Sequence, residues 1–325
     1  MEKLRIGLVG SGGMANRLAD RFSKRGCLVA IASRNRETGK QLAERYTTQF
    51  TDKWSDLIQA DGLDGIAIAT HNNSHGQIAV AALKAGKHVF VEYPLSMSIE
   101  SGQRAIELAV ARGKILRVSH PEPISDRHLA LKSAVSQLGQ VQLSSFLRLT
   151  PGRGARPEML FNLPVSGIPA HFFIYHIYPT VDLFGGAKWV EAASFYEGMS
   201  GDGQYQKFVN SLQIEFRSGG IGQWTWAGGV TIERAEQHQR YILTDGTLIS
   251  ADDGWHLSTP TGTKPVSLIN LTPDVASSIE EQWLQDITTE NMDQSIVDAQ
   301  VALESIKISL SAQMAIERGH RVEIV

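Results

Sequence analysis

Short branched-aliphatic runs alternate with longer amphipathic stretches through the first third of the chain, at residues 4–9, 28–32, 65–69, 88–91 and 115–118. Runs this brief, each followed by a helical period, mark βαβ units, whose strands are buried on both faces. Helices are predicted to begin near Gly13, Glu37, Trp54, His75 and Ser98, and the stretch 81–86 closes one of them on a C-terminal glycine, Gly86. A doubly wound parallel sheet, with helices on both faces, follows.

After about Leu138 the period shortens to two. Residues 141–149, 211–216 and 223–226 alternate apolar and polar positions and are rich in Val, Phe, Trp and Thr, so antiparallel strands are predicted. Asp245-Gly246 sits between strand patterns at 241–243 and 247–249, which is a strong hairpin signal, and Asp253-Gly254 offers a second turn; together they predict a meander. Helical patterns over 276–290 and 295–318 and a strand over 321–325 close the chain. The change of rhythm predicts two domains, 1–122 and 123–325, the second built on a large open, mainly antiparallel sheet.

Composition narrows the classes of function. The 325 residues are 42% hydrophobic and 20% charged, enough to bury two cores. Thirty-one basic against 34 acidic residues give a net charge of -3, which leaves no field to gather polyanions, so nucleic acid is not expected as a partner. Cys27 stands alone and excludes an internal disulfide or a multi-thiolate metal site, which suits a reducing compartment; cytoplasm is the expectation. The apolar run after Met1 is too brief for a signal sequence, and no run approaches the roughly 18 apolar residues of a membrane span. No His/Asp/Glu cluster has metal-ligand spacing, and neither a Gly-x-Ser-x-Gly elbow nor a thiol-histidine pair suggests hydrolysis.

The segment Gly10-Ser11-Gly12-Gly13-Met14-Ala15 follows the first strand and opens a helix. Gly10 permits a tight turn, Gly12 lets backbone approach a pyrophosphate, and Ala15 allows close packing of helix on strand, while Gly13 and Met14 form the helix start on which phosphates rest. The end of the second strand selects the cofactor. An acidic residue there would bind the ribose 2'-hydroxyl of NAD; Ser33-Arg34-Asn35-Arg36 instead offers a hydroxyl and two guanidiniums, which favour the 2'-phosphate of NADP(H) over NAD(H).

The stretch from Ile68 through Thr70, Asn72 and His75, the run 81–89, and Glu92-Tyr93-Pro94 resemble the Gfo/Idh/MocA oxidoreductases. The resemblance implies an N-terminal Rossmann domain and a C-terminal α/β substrate and oligomerisation domain, with Thr70, Asn72, His75, Glu92 and Tyr93 beside the cofactor. In that family Tyr93 would usually be a lysine. Sugar-acting members also carry a His-x-x-Asp pair, which here falls on His176 and Pro179. Asn72-x-x-His75 with Glu92-Tyr93-Pro94-Leu95 is similar to the family's biliverdin reductase branch, as are Asn162-Leu163-Pro164 and Asp182-Leu183-Phe184-Gly185. Bilin reduction sends hydride to a conjugated bridging carbon and a proton to a pyrrole nitrogen, so it does not need the lysine and aspartate.

Tyr93 and His176 are therefore the catalytic candidates. The aromatic run 171–179 is expected to form one helix in which Phe172, Tyr175 and His176 meet a flat substrate, with His176 donating a proton near neutral pH and His171 in the core. His120 and Glu122 follow the last strand of the first domain at the sheet edge where ligands gather. Two propionates on a substrate would call on Arg148, Arg153, Arg156, Arg234 or Arg240, with Arg153 and Arg156 preferred. The expected activity is hydride transfer from NADPH to a conjugated small molecule, biliverdin first. A sugar or polyol dehydrogenase, or a dinucleotide-binding sensor without turnover, is the alternative, and a homo-oligomer formed through the second sheet is expected from the resemblance.

Overall fold

The computed structural model describes residues 3–154, 157–268 and 276–324. The chain divides into two compact units, Met1–Ile124 with Pro273–Leu303 and Ser125–Thr272 with Glu304–Val325.

In the first unit, β1 (Ile6–Val9), β2 (Leu28–Ala32), β3 (Gln49–Thr51), β4 (Gly65–Ile68), β5 (His88–Val91) and β6 (Leu116–Val118) form a parallel sheet in the order β3-β2-β1-β4-β5-β6. The connecting helices are α1 (Gly13–Lys24), α2 (Arg36–Arg45), α3 (Trp54–Gln59), α4 (Asn72–Lys84) and α5 (Ile99–Arg112). Local chemistry sets their ends. The Asn35 side chain caps α2 by accepting from the amides of Glu37 and Thr38, and Ser98 caps α5, which ends on left-handed Gly113. The edge strand β3 escapes the pattern reading because its three residues are too few to show a period.

The second unit holds β7 (Val141–Pro151), β8 (Ala187–Glu197), β9 (Lys207–Phe216), β10 (Ile221–Val230), β11 (Glu236–Leu243), β12 (Gly246–Ala251), β13 (Gly254–Thr259), β14 (Gly262–Pro265) and β15 (Val322–Glu323). Their order is β14-β13-β12-β11-β7-β10-β9-β8-β15, and the predicted meander occupies one end of this sheet. Among the described residues every pairing of this sheet is antiparallel except β10 with β7. Helices α6 (Asp126–Val135), α7 (Pro157–Leu160), α8 (Leu163–Ser166), α9 (Pro169–Phe172) and α10 (Ile174–Phe184) complete it. Asp182 of α10 accepts from Lys132 at 2.8 Å and lies 2.7 Å from the His128 ring, tying α10 to α6.

Two further helices, α11 (Ile279–Thr289) and α12 (Asp293–Arg318), lie between β14 and β15 in sequence. Residues 273–303, which the sequence reading assigned to the second domain, pack in the first unit instead. The cause is a buried anchor. Trp283 of α11 is fully buried against Phe22 and Phe90, with ring centroids 5.8 and 5.7 Å away, and a Cβ on Gly65 would come within 2.9 Å of its ring. Arg117 of β6, 1% exposed, pairs with Asp286 of α11 and Asp298 of α12, both also buried. Glu280 is likewise buried and held by Arg21.

Replacing one member of a buried ion cluster leaves the others charged and unpaired. Arg117→Met is expected to cost about 3–5 kcal/mol in denaturant unfolding, and adding Asp286→Asn with Asp298→Asn should recover most of the loss.

Candidate functional site

In the parallel sheet, β1 lies between β2 and β4, so the chain leaves in opposite directions from the carboxyl ends of neighbouring strands and opens a crevice there. Gly10 turns the chain out of β1 with φ +128, and a Cβ at this position would meet the Ala69 carbonyl oxygen at 2.1 Å, so only glycine fits. A Cβ on Gly12 or Gly13 would touch nothing within 4 Å, so their backbone faces open space. Gly12 is the N-cap of α1, with no side-chain cap and no acidic residue in the first turn. Free N–H groups and the helix dipole therefore point into that space, and the residues present fit a pyrophosphate. Ala15 is buried, as close helix-strand packing requires, and half-buried Met14 packs against the core. The Asn16 amide donates to the carbonyls of Ser11 and Gly12 and holds the loop.

At the end of β2 the structure adds two residues that the motif reading missed. The Ser11 hydroxyl lies 2.8 Å from that of Ser33 and 2.7 Å from that of Thr38, forming a cluster of three hydroxyls with no carboxylate in it. Arg34 is exposed beside it and makes no side-chain hydrogen bond or ion pair among the described residues. Arg36 is committed elsewhere, to Asp52. Ser11 occupies a variable position of the glycine motif and Thr38 lies in the first turn of α2, so their meeting depends on the turn and not on spacing.

The ends of β4, β5 and β6 bring Thr70, Asn72, His75, Glu92, Tyr93 and His120 to the same edge of the sheet. Asn72 opens α4, and Thr70 bonds the Ser74 hydroxyl at 2.8 Å. His75 is buried, with Nδ1 2.8 Å from the Pro94 carbonyl and Nε2 3.2 Å from that of Thr70. Burial lowers its pKa against the pull of the carbonyls, so a neutral ring donates to one oxygen and positions the loop through Pro94. The Tyr93-Pro94 bond is cis. Tyr93 is half-buried and stacks on His120 with ring centroids 5.3 Å apart, and His120 Nδ1 lies 3.9 Å from Glu122 Oε2. Burial pushes His120 down to about 3, so this ring is neutral at physiological pH. Glu92 is buried, and desolvation raises its carboxyl to about 7, opposed by a bond from Ser119 and reinforced by the charge of Glu280.

In the second unit the predicted single aromatic helix is two, because Phe173 leaves helical geometry between α9 and α10. His171 is a core histidine, as expected, bonded to Ser309 and Gln313. Phe172 and Tyr175 are half-buried and reach Phe173 edge-on. His176 stands in a ring cluster with Phe146, Phe173 and Tyr175 at 4.4, 5.5 and 4.2 Å. Burial, with the guanidinium of Arg148, pushes its pKa down to about 3, so the expected acid of near-neutral pKa is not there. Arg148 bonds Gln237 at 3.0 Å, Arg153 lies over the Phe161 ring at 5.3 Å, Arg234 and Arg240 are exposed, and Arg156 lies outside the described residues.

The strand order, the glycine turn and the uncapped helix start define the first unit as a dinucleotide-binding Rossmann domain. Residues 4–120 match the model of the Gfo/Idh/MocA oxidoreductase family, NAD-binding Rossmann fold, and it is this segment that the likeness to the family rests on. The chain is also similar to biliverdin reductases and to inositol dehydrogenases. Biliverdin reductase A of Homo sapiens is 32% identical over 163 residues, 50% of this chain and 51% of that protein. Inositol 2-dehydrogenase of Rubrobacter xylanophilus is 30% identical over 139 residues, 42% of this chain and 40% of that protein. The chain thus spans about half the length of these curated relatives. The crystal structure of a Synechocystis biliverdin reductase with biliverdin and NADP+ has the same fold, with a TM-score of 0.82 at 24% identity over 97% of this chain and 100% of that one. Among the described residues no helix is long and apolar enough to cross a membrane.

The buried carboxyl of Glu92 makes stability depend on pH. Its ordinary value is 4.5, so between that pH and about 7 the folded protein holds a proton that the unfolded chain has lost. Stability from this group is complete below that window and lost as pH rises through it. Glu92→Gln should melt several degrees above the wild type at about pH 8, and the gap should close toward about pH 4.5, in thermal scans without cofactor.

Proposed function

We infer that this protein is an NADPH-dependent reductase that delivers hydride to a conjugated small molecule of the linear tetrapyrrole class, biliverdin first, and that it works in the cytoplasm. The observation that carries this reading is Tyr93, half-buried and stacked on neutral His120 at the end of β5, where the family's dehydrogenases place a lysine. Pro179 of α10 stands where sugar-acting members would have an aspartate. Oxidation of an alcohol needs a base for the hydroxyl proton, whereas reduction of a conjugated carbon needs only hydride and a donor. The likeness to human and Synechocystis biliverdin reductases supports the same substrate class.

A nicotinamide bound at this edge would supply the hydride. The chain's own residues do the rest: Gly10 to Ala15 with the start of α1 receive the pyrophosphate, and Ser11, Ser33, Thr38 and Arg34 receive a 2'-phosphate. Glu92 and His75 hold the loop that presents the Tyr93 phenol, and Phe172, Tyr175 and His176 offer ring faces and a polar atom to a flat substrate. Arg153 is the proposed contact for an acidic substituent. Homo-oligomerisation through the second sheet belongs to the same proposal: Phe195 of β8, 55% exposed, pairs with half-buried Val209 of β9.

The likeness to inositol 2-dehydrogenase favours a second reading, an NADP-dependent sugar or polyol dehydrogenase. Purified protein with NADPH and biliverdin separates them: loss of nicotinamide absorbance with a bilirubin-like spectrum is expected, and slower turnover with NADH. Polyol-dependent NADP+ reduction without bilin turnover would overturn the proposal, and tight NADPH binding with no turnover of either would leave a sensor.

Arg34→Ala is expected to raise the KM for NADPH by about 10- to 100-fold with a much smaller change in kcat, the loss of one charge-assisted bond. Arg36→Ala, whose guanidinium is engaged by Asp52, should change it less.

A further inference from the structure

Two indoles from alternate positions of β10 grip the same residue of α10. Trp224 Nε1 donates to the His176 carbonyl at 3.0 Å, and Trp226 Nε1 donates to His176 Nδ1, also at 3.0 Å. An indole N–H is a donor and never an acceptor, so Nδ1 must present its lone pair to Trp226. The single proton of a neutral imidazole then resides on Nε2. That nitrogen has no hydrogen-bond partner among the described residues, and the ring is half-buried. The surroundings reinforce the arrangement: Trp226 stacks on Phe173 at 5.8 Å with an interplanar angle of 12°, and Fully buried Trp224 and Trp226 leave the indoles little room to turn.

We propose that Trp226 is a positioning residue that fixes His176 as the neutral Nε2–H tautomer, making it a hydrogen-bond donor to a lactam or carbonyl oxygen of the substrate and neither an acid nor a base. The role in substrate binding rests on the reductase reading above; the tautomer does not. Adding a proton to Nδ1 would set it against the indole hydrogen, inside a ring cluster whose charged member is Arg148, itself a cation. Burial and Arg148 both lower the pKa, in the same direction. Nε2 already carries its proton and has no lone pair with which to accept another. A substrate alcohol therefore finds no base in His176, while a substrate oxygen finds a fixed N–H.

The test is the nitrogen-15 spectrum of the full chain labelled at histidine, with the His176 signals identified by their loss in His176→Gln. Above about pH 5 the expected result is a pyrrole-like Nε2 and a pyridine-like Nδ1, unchanged when NADPH is added. Trp226→Phe keeps a ring in the stack but removes the donor; His176 should then populate both tautomers, and its titration midpoint should move up from about 3. The wild-type spectrum alone decides the matter if that variant fails to fold. A pyrrole-like Nδ1, or a His176 that protonates near about pH 6.5, would overturn the inference. Bilin turnover with the wrong tautomer would sink this inference and spare the reductase reading; the right tautomer without bilin turnover would do the reverse.

Discussion

The guanidinium of Arg117 is the point on which the first unit depends. It leaves the last strand of the parallel sheet and meets Asp286 and Asp298, which arrive on two different helices after β7 to β14 of the second sheet have been traced. A buried arginine is tolerated only with such partners, and its planar fork can engage two carboxylates at once. The same helices bring Trp283 to Phe22 and Phe90 and close the core beneath the glycine loop. The rigidity of the cofactor edge thus rests on residues some 170 positions away along the chain.

Most of the first unit was legible because buried parallel strands are short apolar runs and their helices carry end signals. Runs at 28–32 and 88–91 coincide with β2 and β5, and Ser98 and Gly86 mark helix boundaries where propensity says they should. The second sheet was legible in its meander, where turn residues fix register, but the parallel pairing of β7 with β10 carries no local mark. Membership of residues 273–303 was not legible either, since an amphipathic pattern states that a face is buried and not against what.

The site divides the same way. Glycines, Ser33, Tyr93 and His176 were named from motif and resemblance, because backbone geometry and polar chemistry restrict those positions. The hydroxyls of Ser11 and Thr38 and the indole of Trp226 were missed, since each acts through a partner far off in sequence. Burial also reversed one expectation. Histidine suggests a proton carrier near neutrality, yet His75, His120 and His176 are all depressed by desolvation, and this set of rings offers neutral donors and acceptors. Glu92, by contrast, is pushed toward neutrality from the other side.

The return of α11 and the first part of α12 to the first unit also governs the order of events during synthesis. When the first 124 residues have left the ribosome, β6 presents an arginine with no carboxylate to receive it, and the space for Trp283 is empty. The nucleotide-binding unit cannot be completed until translation has passed about residue 303. The continuous segment that lies between the two halves of that unit is therefore synthesised before the core of the unit has all of its residues.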